Sequence, residues 1–167
     1  MTCLAAAGLD AEAANNGFTA LQAACVHGQL EAASWLCAQG ASVQAQKQDG
    51  WRDTALHYTA AKNHMEIAKL LLAFGAAPEA LNFADMAPGD LASKMGHHQL
   101  AAYLSAVACG TEPRPSPQPY LDQARQLEAS LQAYVCSLTA ALQELAAAKH
   151  AGRSMRKLVK NLKRMAA

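Results

Sequence analysis

Apolar and small residues recur along the first two-thirds of this chain with a fixed spacing. Thr19 to Ala24 (TALQAA) matches Thr54 to Ala61 (TALHYTAA), and the two threonines lie 35 residues apart. The stretch from Leu30 to Ala41 likewise matches Met65 to Ala76. Within each copy, apolar side chains repeat at the spacing of one helix face. The pattern therefore predicts repeated units of two short helices.

A third and weaker copy follows the first two. Ala87 lies 33 residues after Thr54, and the copy continues to Leu104. One unit of 33 to 35 residues cannot bury its own apolar face, so we expect neighbouring units to stack. Gly89 stands where the first helix of the other copies has leucine, and we therefore expect that helix to be weak.

Residues suited to helix ends flank the predicted helices. Thr19 and Thr54 precede the first helices, where a hydroxyl can accept a hydrogen bond from a free backbone N–H. Gly40 and Gly75 follow the second helices, where the chain needs a left-handed residue.

These residues resemble the ankyrin repeat family, whose unit is a turn followed by two antiparallel helices. The family pattern reads roughly G-x-T-P-L-H-x-A-A, then G-H-x-E, then L-L-x-x-G-A. The resemblance covers about residues 1–107, with two extra residues, Arg52 and Asp53, before Thr54. It implies an all-α fold, a short ankyrin-type α-solenoid followed by a C-terminal helical hairpin or coiled-coil tail. The predicted units are a partial unit at 1–15 and repeats at about 16–48, 49–82 and 83–107.

Charge is unevenly distributed along the chain. Residues 1–111 hold nine acidic residues and five Lys/Arg, a net charge of −4. Residues 112–167 hold four acidic residues and nine Lys/Arg, a net charge of +5. A basic tail on an acidic body indicates separate roles for the two parts, or contact between them.

The candidate chemistry is sparse. Five scattered cysteines form no CxxC spacing, and the three at helix positions are expected to be buried or half-buried in a reducing compartment. There is no secretory signal or membrane span, so we expect a cytoplasmic location, with a nuclear one as the alternative. The sequence contains no Gly-rich phosphate-binding loop and no Ser-His-Asp catalytic arrangement. We therefore expect that the protein is not an enzyme and has no cofactor and no metal site. We expect His57 to brace nearby backbone.

A proline-rich linker and a helical tail are predicted after the repeats. Residues 108–119 contain four of the six prolines and predict an extended linker. In the tail, residues 120–167, Leu131, Leu138 and Leu145 recur every seven residues and predict a helix over about 120–149. The stripe packs either within its own chain or against a second copy. We expect Ala151-Gly152 to end this helix and Ser154 to cap another.

The last segment predicts a basic amphipathic helix over residues 153–165. This helix has several alternative roles. It lies on an anionic membrane surface, sits in a peptide-binding groove, contacts nucleic acid, acts as a nuclear import signal, or is a solvated helix whose apolar face packs on the tail. The cationic residues are Arg153, Arg156, Lys157, Lys160, Lys163 and Arg164.

The resemblance also implies where a partner would bind. Ankyrin stacks bind proteins along the concave surface made by their fingers and first helices, which predicts an adaptor or scaffold that binds another protein. Trp51 and Arg52 are the residue types that most often dominate binding energy. The predicted partner-binding residues are Gln22, Gln44, Gln46, Lys47, Trp51, Arg52, Asp53, Tyr58, Lys62, Phe83 and Met86.

Overall fold

Helices account for the regular structure throughout the described part of the chain. A computed structural model describes the backbone of residues 18–46 and 50–165, and side chains through residue 143. The helices are α1 (Ala20–Val26), α2 (Leu30–Ala38), α3 (Ala55–Lys62), α4 (Met65–Ala73), α5 (Pro88–Lys94), α6 (His98–Ala108) and α7 (Gln118–Met165). An isolated antiparallel bridge joins Gln46 to Thr54. The predicted all-α fold is confirmed.

The first six helices form three pairs that pack in chain order. The first helices contact one another, α1 with α3 and α3 with α5, and α2 contacts α4. Between the layers lies a core in which most leucines, including Leu21, Leu56 and Leu71, are fully buried. Each such side chain contributes about 1.5–3 kcal/mol by leaving water. The predicted stacking of one unit on the next is therefore confirmed.

The turn after each second helix repeats with high regularity. Gly40, Gly75 and Gly110 lie 35 residues apart and have φ angles of 88°, 90° and 73°. This left-handed conformation is one that glycine adopts without steric cost. The residues after them donate back to the helices, as in the 2.9 Å bond from Ala76 N to Leu71 O. The predicted role of the first two glycines is confirmed, and Gly110 extends it to the third unit.

The first helix of the third pair forms over Pro88–Lys94, although Gly89 was expected to weaken it. Pro88 occupies the first turn of α5, where its fixed φ suits a helix, and the Asp90 carboxylate accepts from Ala87 N at 3.2 Å. Gly89 is buried, and a Cβ there would lie 3.2 Å from Ser105 Oγ. The glycine thus permits a close approach of α5 to α6, which offsets its low helix propensity.

Helix α7 is longer than the sequence predicts. It begins at Gln118, and Pro119 is tolerated because it lies in the first turn. The expected break at Ala151-Gly152 is wrong, since the helix continues to Met165, and the tail is therefore one helix and not a hairpin. One glycine costs about 1 kcal/mol relative to alanine, and the flanking Ala, Arg, Lys and Met residues favour helix.

The chain divides into two compact units, residues 1–124 and 125–167. In the first unit, the opening turns of α7 join the core, with Ala124 buried and Tyr120 half-buried. In the second unit, every side chain from residue 129 to residue 143 is exposed. The predicted apolar stripe is thus uncovered within the described residues, and packing within its own chain is not observed there.

The part of the chain described here holds no helix with both the length and the hydropathy to cross a membrane. The predicted partial unit at 1–15 lies outside the described residues.

Two of the helical cysteines are buried as expected, and the third is not. Burial raises the pKa of Cys25 and of Cys37 to about 12, so both are thiols at neutral pH. Cys136 is exposed on α7, and Cys109 is exposed just after α6. Reactivity of a cysteine requires both access and thiolate.

We expect maleimide to label Cys109 and Cys136 in the folded protein at pH 7.5, while Cys25 and Cys37 react only after unfolding. Peptide mapping by mass spectrometry of folded and urea-unfolded samples measures this. Labelling of Cys37 in folded protein as fast as that of Cys109 would contradict the stacked core.

Candidate binding surface

Two neighbouring loops project from the helical stack ahead of α3 and α5. We call residues 44–53 the second finger and residues 79–86 the third finger; residues 47–49 lie outside the described residues. These loops carry most of the predicted partner-binding residues, so their rigidity decides whether they form a preformed surface.

Two hydrogen bonds join the second finger directly to the third. Phe83 N donates to Trp51 O at 2.8 Å, and Asn82 Nδ2 donates to Asp53 Oδ1 at 2.9 Å. Asp53 is one of the two residues added relative to the first repeat. The insertion therefore provides a connection between fingers as well as a longer loop.

Asn82 organises the third finger from inside. Its side chain is 5% exposed, and its Oδ1 accepts from Ala84 N at 2.9 Å and from Met86 N at 3.1 Å. Side-chain amides that bond backbone a few residues away stabilise turns in this manner. Asn82 thus fixes its own loop while its amide holds Asp53. The resemblance alone did not identify this role.

In each of the first two helix pairs, one side chain of the first helix ties that helix to the following finger. Gln22 and His57 are both the third residue of their helix. Gln22 Oε1 accepts from Thr19 N at 3.0 Å, and Gln22 Nε2 donates to Ala45 O at 2.8 Å. Because Gln22 is fully buried, it is not available to a partner, and its assignment to the binding surface is wrong.

His57 makes the same connection with an imidazole ring. Its Nδ1 accepts from Thr54 N at 3.2 Å, and its Nε2 lies 3.0 Å from Met86 O. Since Nδ1 accepts a backbone N–H, the proton sits on Nε2, which donates to the carbonyl. The predicted bracing role of His57 is confirmed. Aligning His57 with Gln22, 35 residues earlier, was the signal that could have revealed the role of Gln22.

Burial also sets the charge state of His57. Its side chain is fully buried, and desolvation lowers the pKa of the imidazole, partly opposed by the hydrogen bond to Met86 and the charge of Asp53. The neutral ring is the form that can both accept from Thr54 and donate to Met86.

The third repeat has an acidic residue at this position. Asp90 accepts from Ala87 N, as Gln22 and His57 accept from their threonines. An ionised carboxylate has no proton to donate, so it cannot reach forward to the carbonyl of a further finger. The helix-to-finger series therefore ends at the third repeat.

Three side chains on the paired fingers face water and form what we call the fingertip surface: Trp51, Arg52 and Phe83. Trp51 is 58% exposed and Phe83 is 71% exposed. Arg52 has a left-handed φ of 56°, and its Nε donates to Gln46 Oε1 at 3.3 Å. The backbone bond between Trp51 and Phe83 keeps the two aromatic residues on adjoining segments.

The remaining predicted residues occupy varied environments. Gln44 and Lys62 are exposed, and Gln44 Nε2 donates to Gly75 O at 3.0 Å. Tyr58 and Met86 are half-buried, and the ring of Tyr58 lies 5.3 Å from the ring of Phe18. Leu81, which was not predicted, is 50% exposed within the third finger.

Several predicted residues cannot be placed. Lys47 lies outside the described residues, as do the side chains of the basic segment, residues 153–165, whose backbone is helical. Within the described ranges there is no group of three or more His, Cys, Asp or Glu residues able to hold a metal ion.

Comparison with known proteins agrees with this architecture. Residues 21–72 match the family model described as ankyrin repeats (many copies). The chain is also 38% identical over 93 residues to the E3 ubiquitin-protein ligase Ufd4 of Drosophila melanogaster. That match covers 54% of this chain and 3% of the ligase, so the chain spans a very small part of that protein's length.

We expect the folded protein to become less stable as pH is lowered, and we expect His57 to be the group responsible. Because burial lowers the pKa of folded His57, the unfolded chain binds a proton first as pH falls. The stabilisation is fully present above the ordinary pKa of 6.5 and decreases as pH drops from there toward the folded pKa. Urea unfolding at pH 7.5 and 5.5 measures the difference.

His57→Gln should remain stable at pH 7.5 and lose most of this pH difference, because glutamine performs the same task at position 22. His57→Ala should cost about 1–3 kcal/mol at both pH values by leaving buried groups unpaired. Equal pH differences in the wild type and His57→Gln would show that His57 is not the responsible group.

Asn82→Ala should destabilise the protein by about 1–3 kcal/mol, since two hydrogen bonds within the third finger and one to the second finger are lost. Gln99→Ala, which removes an exposed amide from α6, is the matched control and should change stability by less than about 0.5 kcal/mol. Thermal unfolding measures both. Equal melting temperatures for the two variants would refute the bracing role of Asn82.

Proposed function

Because the first unit of this chain is built from ankyrin repeats, we propose that the chain is an adaptor that holds a partner protein on its fingertip surface. Ankyrin repeats are general protein–protein interaction modules. The observation that carries the proposal is the exposure of Trp51 and Phe83 on two fingers joined by a 2.8 Å backbone hydrogen bond.

Rigidity and composition both support this surface. Ordering a flexible loop on binding costs free energy, and the bonds made by Asn82 and His57 fix the fingers beforehand. Trp and Arg are enriched among residues that dominate interfaces, and they cluster where a partner excludes water. Trp51, Arg52 and Phe83 supply two aromatic anchors and one cation on that fixed frame.

The adaptor acts by presentation, without chemistry of its own. The ligase named above shares a small segment with this chain, and its catalytic activity is not part of the proposal. A cytoplasmic or nuclear location is supported by Cys25, Cys37, Cys109 and Cys136, which are all free. Membrane or nucleic-acid binding through residues 153–165 stays a hypothesis from the sequence.

Quantitative affinity capture with matched baits tests the proposal. Wild-type chain, the double variant Trp51→Ala/Phe83→Ala and the control Met95→Ala are each used as full-length bait. Met95 is 55% exposed just after α5 and lies outside both fingers. Proteins retained by wild type and Met95→Ala but lost from the double variant are candidate partners. Equal recovery of every protein by all three baits would refute binding at this surface.

For a partner so recovered, we expect Trp51→Ala alone to weaken binding by about 2 kcal/mol or more, roughly a 30-fold rise in Kd. The melting temperature should stay nearly unchanged, because the side chain is mostly solvated in the free protein. Calorimetric titration and thermal unfolding measure the two quantities. A large loss of stability with unchanged Kd would instead assign Trp51 to the fold.

A further inference from the structure

Helix α7 carries an apolar face that nothing covers within the described residues. Six large side chains there are between 38% and 66% exposed, and we call them the tail stripe: Leu127, Leu131, Tyr134, Val135, Leu138 and Leu142. A contiguous apolar patch of this kind on a folded monomer marks an interaction site. The stripe lies wholly in the second unit, and both fingers lie in the first.

We propose that the tail stripe pairs α7 with α7 of a second copy of this chain, in antiparallel orientation. The spacing of the stripe supports helix pairing. Leu131 and Leu138 are seven residues apart in one row, and Val135 and Leu142 are seven residues apart in a second row on the same helix. Seven-residue rows place apolar residues along one seam between two helices. Leu145 continues the first row, and Glu128 interrupts the second row between Leu121 and Val135, so the apolar seam runs from Leu131 to Leu145, about two heptads.

The charge distribution along α7 identifies the occupant and its direction. Residues 118–145 contain three acidic residues, Asp122, Glu128 and Glu144, and one basic residue, Arg125, a net charge of −2. Residues 146–165 contain seven Lys/Arg and no acidic residue, a net charge of +7. A parallel pair would set seven cations beside seven cations. An antiparallel pair moves the two cationic ends to opposite ends of the seam and brings Lys149 toward Asp122 of the second copy, so this orientation removes the repulsion and adds an attraction.

The same distribution argues against a membrane as the occupant of the stripe. Helices that lie on anionic lipid place cations around their apolar face. The segment that holds the tail stripe is instead net negative, and the cations lie beyond it along the helix. A second copy supplies both an identical apolar row and the opposite charge.

The stripe also sets the overlap of the two helices. Its midpoint lies between Tyr134 and Val135, so superposing the midpoints in reverse puts Lys149 opposite residue 120 of the second copy. Asp122 is two residues from residue 120, so Asp122 of one copy lies close to Lys149 of the other. Within one chain the two residues are separated by 27 residues, or about 40 Å of continuous helix.

Light scattering of the full chain tests the pairing. We expect a mass of twice the 17.6 kDa chain at micromolar concentration. Leu131→Asp/Leu138→Asp should raise the dissociation constant of the dimer at least ~100-fold by burying charge in the seam. The control Ala133→Asp/Ala140→Asp adds the same charges, also seven residues apart, to the opposite face of α7 and should remain dimeric. Circular dichroism checks that both variants stay helical.

A carboxyl-to-amine cross-linker of zero length tests the orientation in an equal mixture of unlabelled and ¹⁵N-labelled chains. We expect an Asp122–Lys149 cross-link between a light and a heavy chain. A Glu144–Lys149 cross-link between chains without the Asp122 product would overturn the antiparallel orientation. An Asp122–Lys149 product found only within one chain would overturn pairing with a second copy.

Three other results would also overturn the proposal. The first is a monomeric mass for the wild type at a test concentration of 100 µM. The second is a mass of three or more chains. The third is an equal dissociation constant for the dimers of the stripe variant and the control variant. A monomer that binds vesicles of phosphatidylserine and phosphatidylcholine, and loses this binding through Leu131→Asp/Leu138→Asp, would assign the stripe to membranes instead. Variants of Trp51 and Phe83 should leave the dimer intact, which separates this test from that of the adaptor.

Discussion

The structure depends on one recurring contact, in which the third residue of a first helix reaches both backward and forward. Gln22 and His57 accept a hydrogen bond from the residue that begins their helix, and donate another to the carbonyl of a later finger. Both side chains are fully buried among leucines, which cannot form hydrogen bonds. Leaving either the donor or the acceptor unpaired would therefore lower the free energy of unfolding. Finger position is therefore fixed by helix position.

This contact requires a side chain that donates and accepts at the same time. Glutamine always satisfies the requirement, a histidine satisfies it only when neutral, and an ionised aspartate does not. The chain uses these three residues in order along the stack, at positions 22, 57 and 90. Gln22 and His57 therefore make both the backward and the forward bond, whereas Asp90 makes the backward one.

Much of the fold follows from local sequence signals. Threonines at helix starts, glycines at left-handed turns and leucines at helical spacing each act within a few residues, so Thr54, Gly75 and Leu56 could be interpreted without coordinates. Gln22 could not, because its burial depends on Ala45, 23 residues away. A polar side chain in an isolated repeat would be exposed, and only the packed finger encloses it.

Competition between local preferences explains the other differences from the sequence-based expectations. Gly89 was expected to weaken α5, but Pro88, the bond from Ala87 to Asp90 and close packing on α6 together favour the helix. Gly152 was expected to end the tail helix, but a single glycine among strong helix formers is not enough. Trp51 and Phe83 were predicted on the fingers, where the structure shows both side chains exposed, yet the network through Asn82 that joins the fingers appears only once both are in place.

The four residues from Gly50 to Asp53 lie between fixed points. Gln46 pairs with Thr54 across their base, and Phe83 holds the backbone of Trp51 from the neighbouring loop. Neither of these two backbone contacts uses the side chain of Trp51 or Arg52. Exchanging the exposed side chains of Trp51 and Arg52 can therefore change which protein this short segment binds. Asp53 keeps its structural role, and the core sequence stays the same.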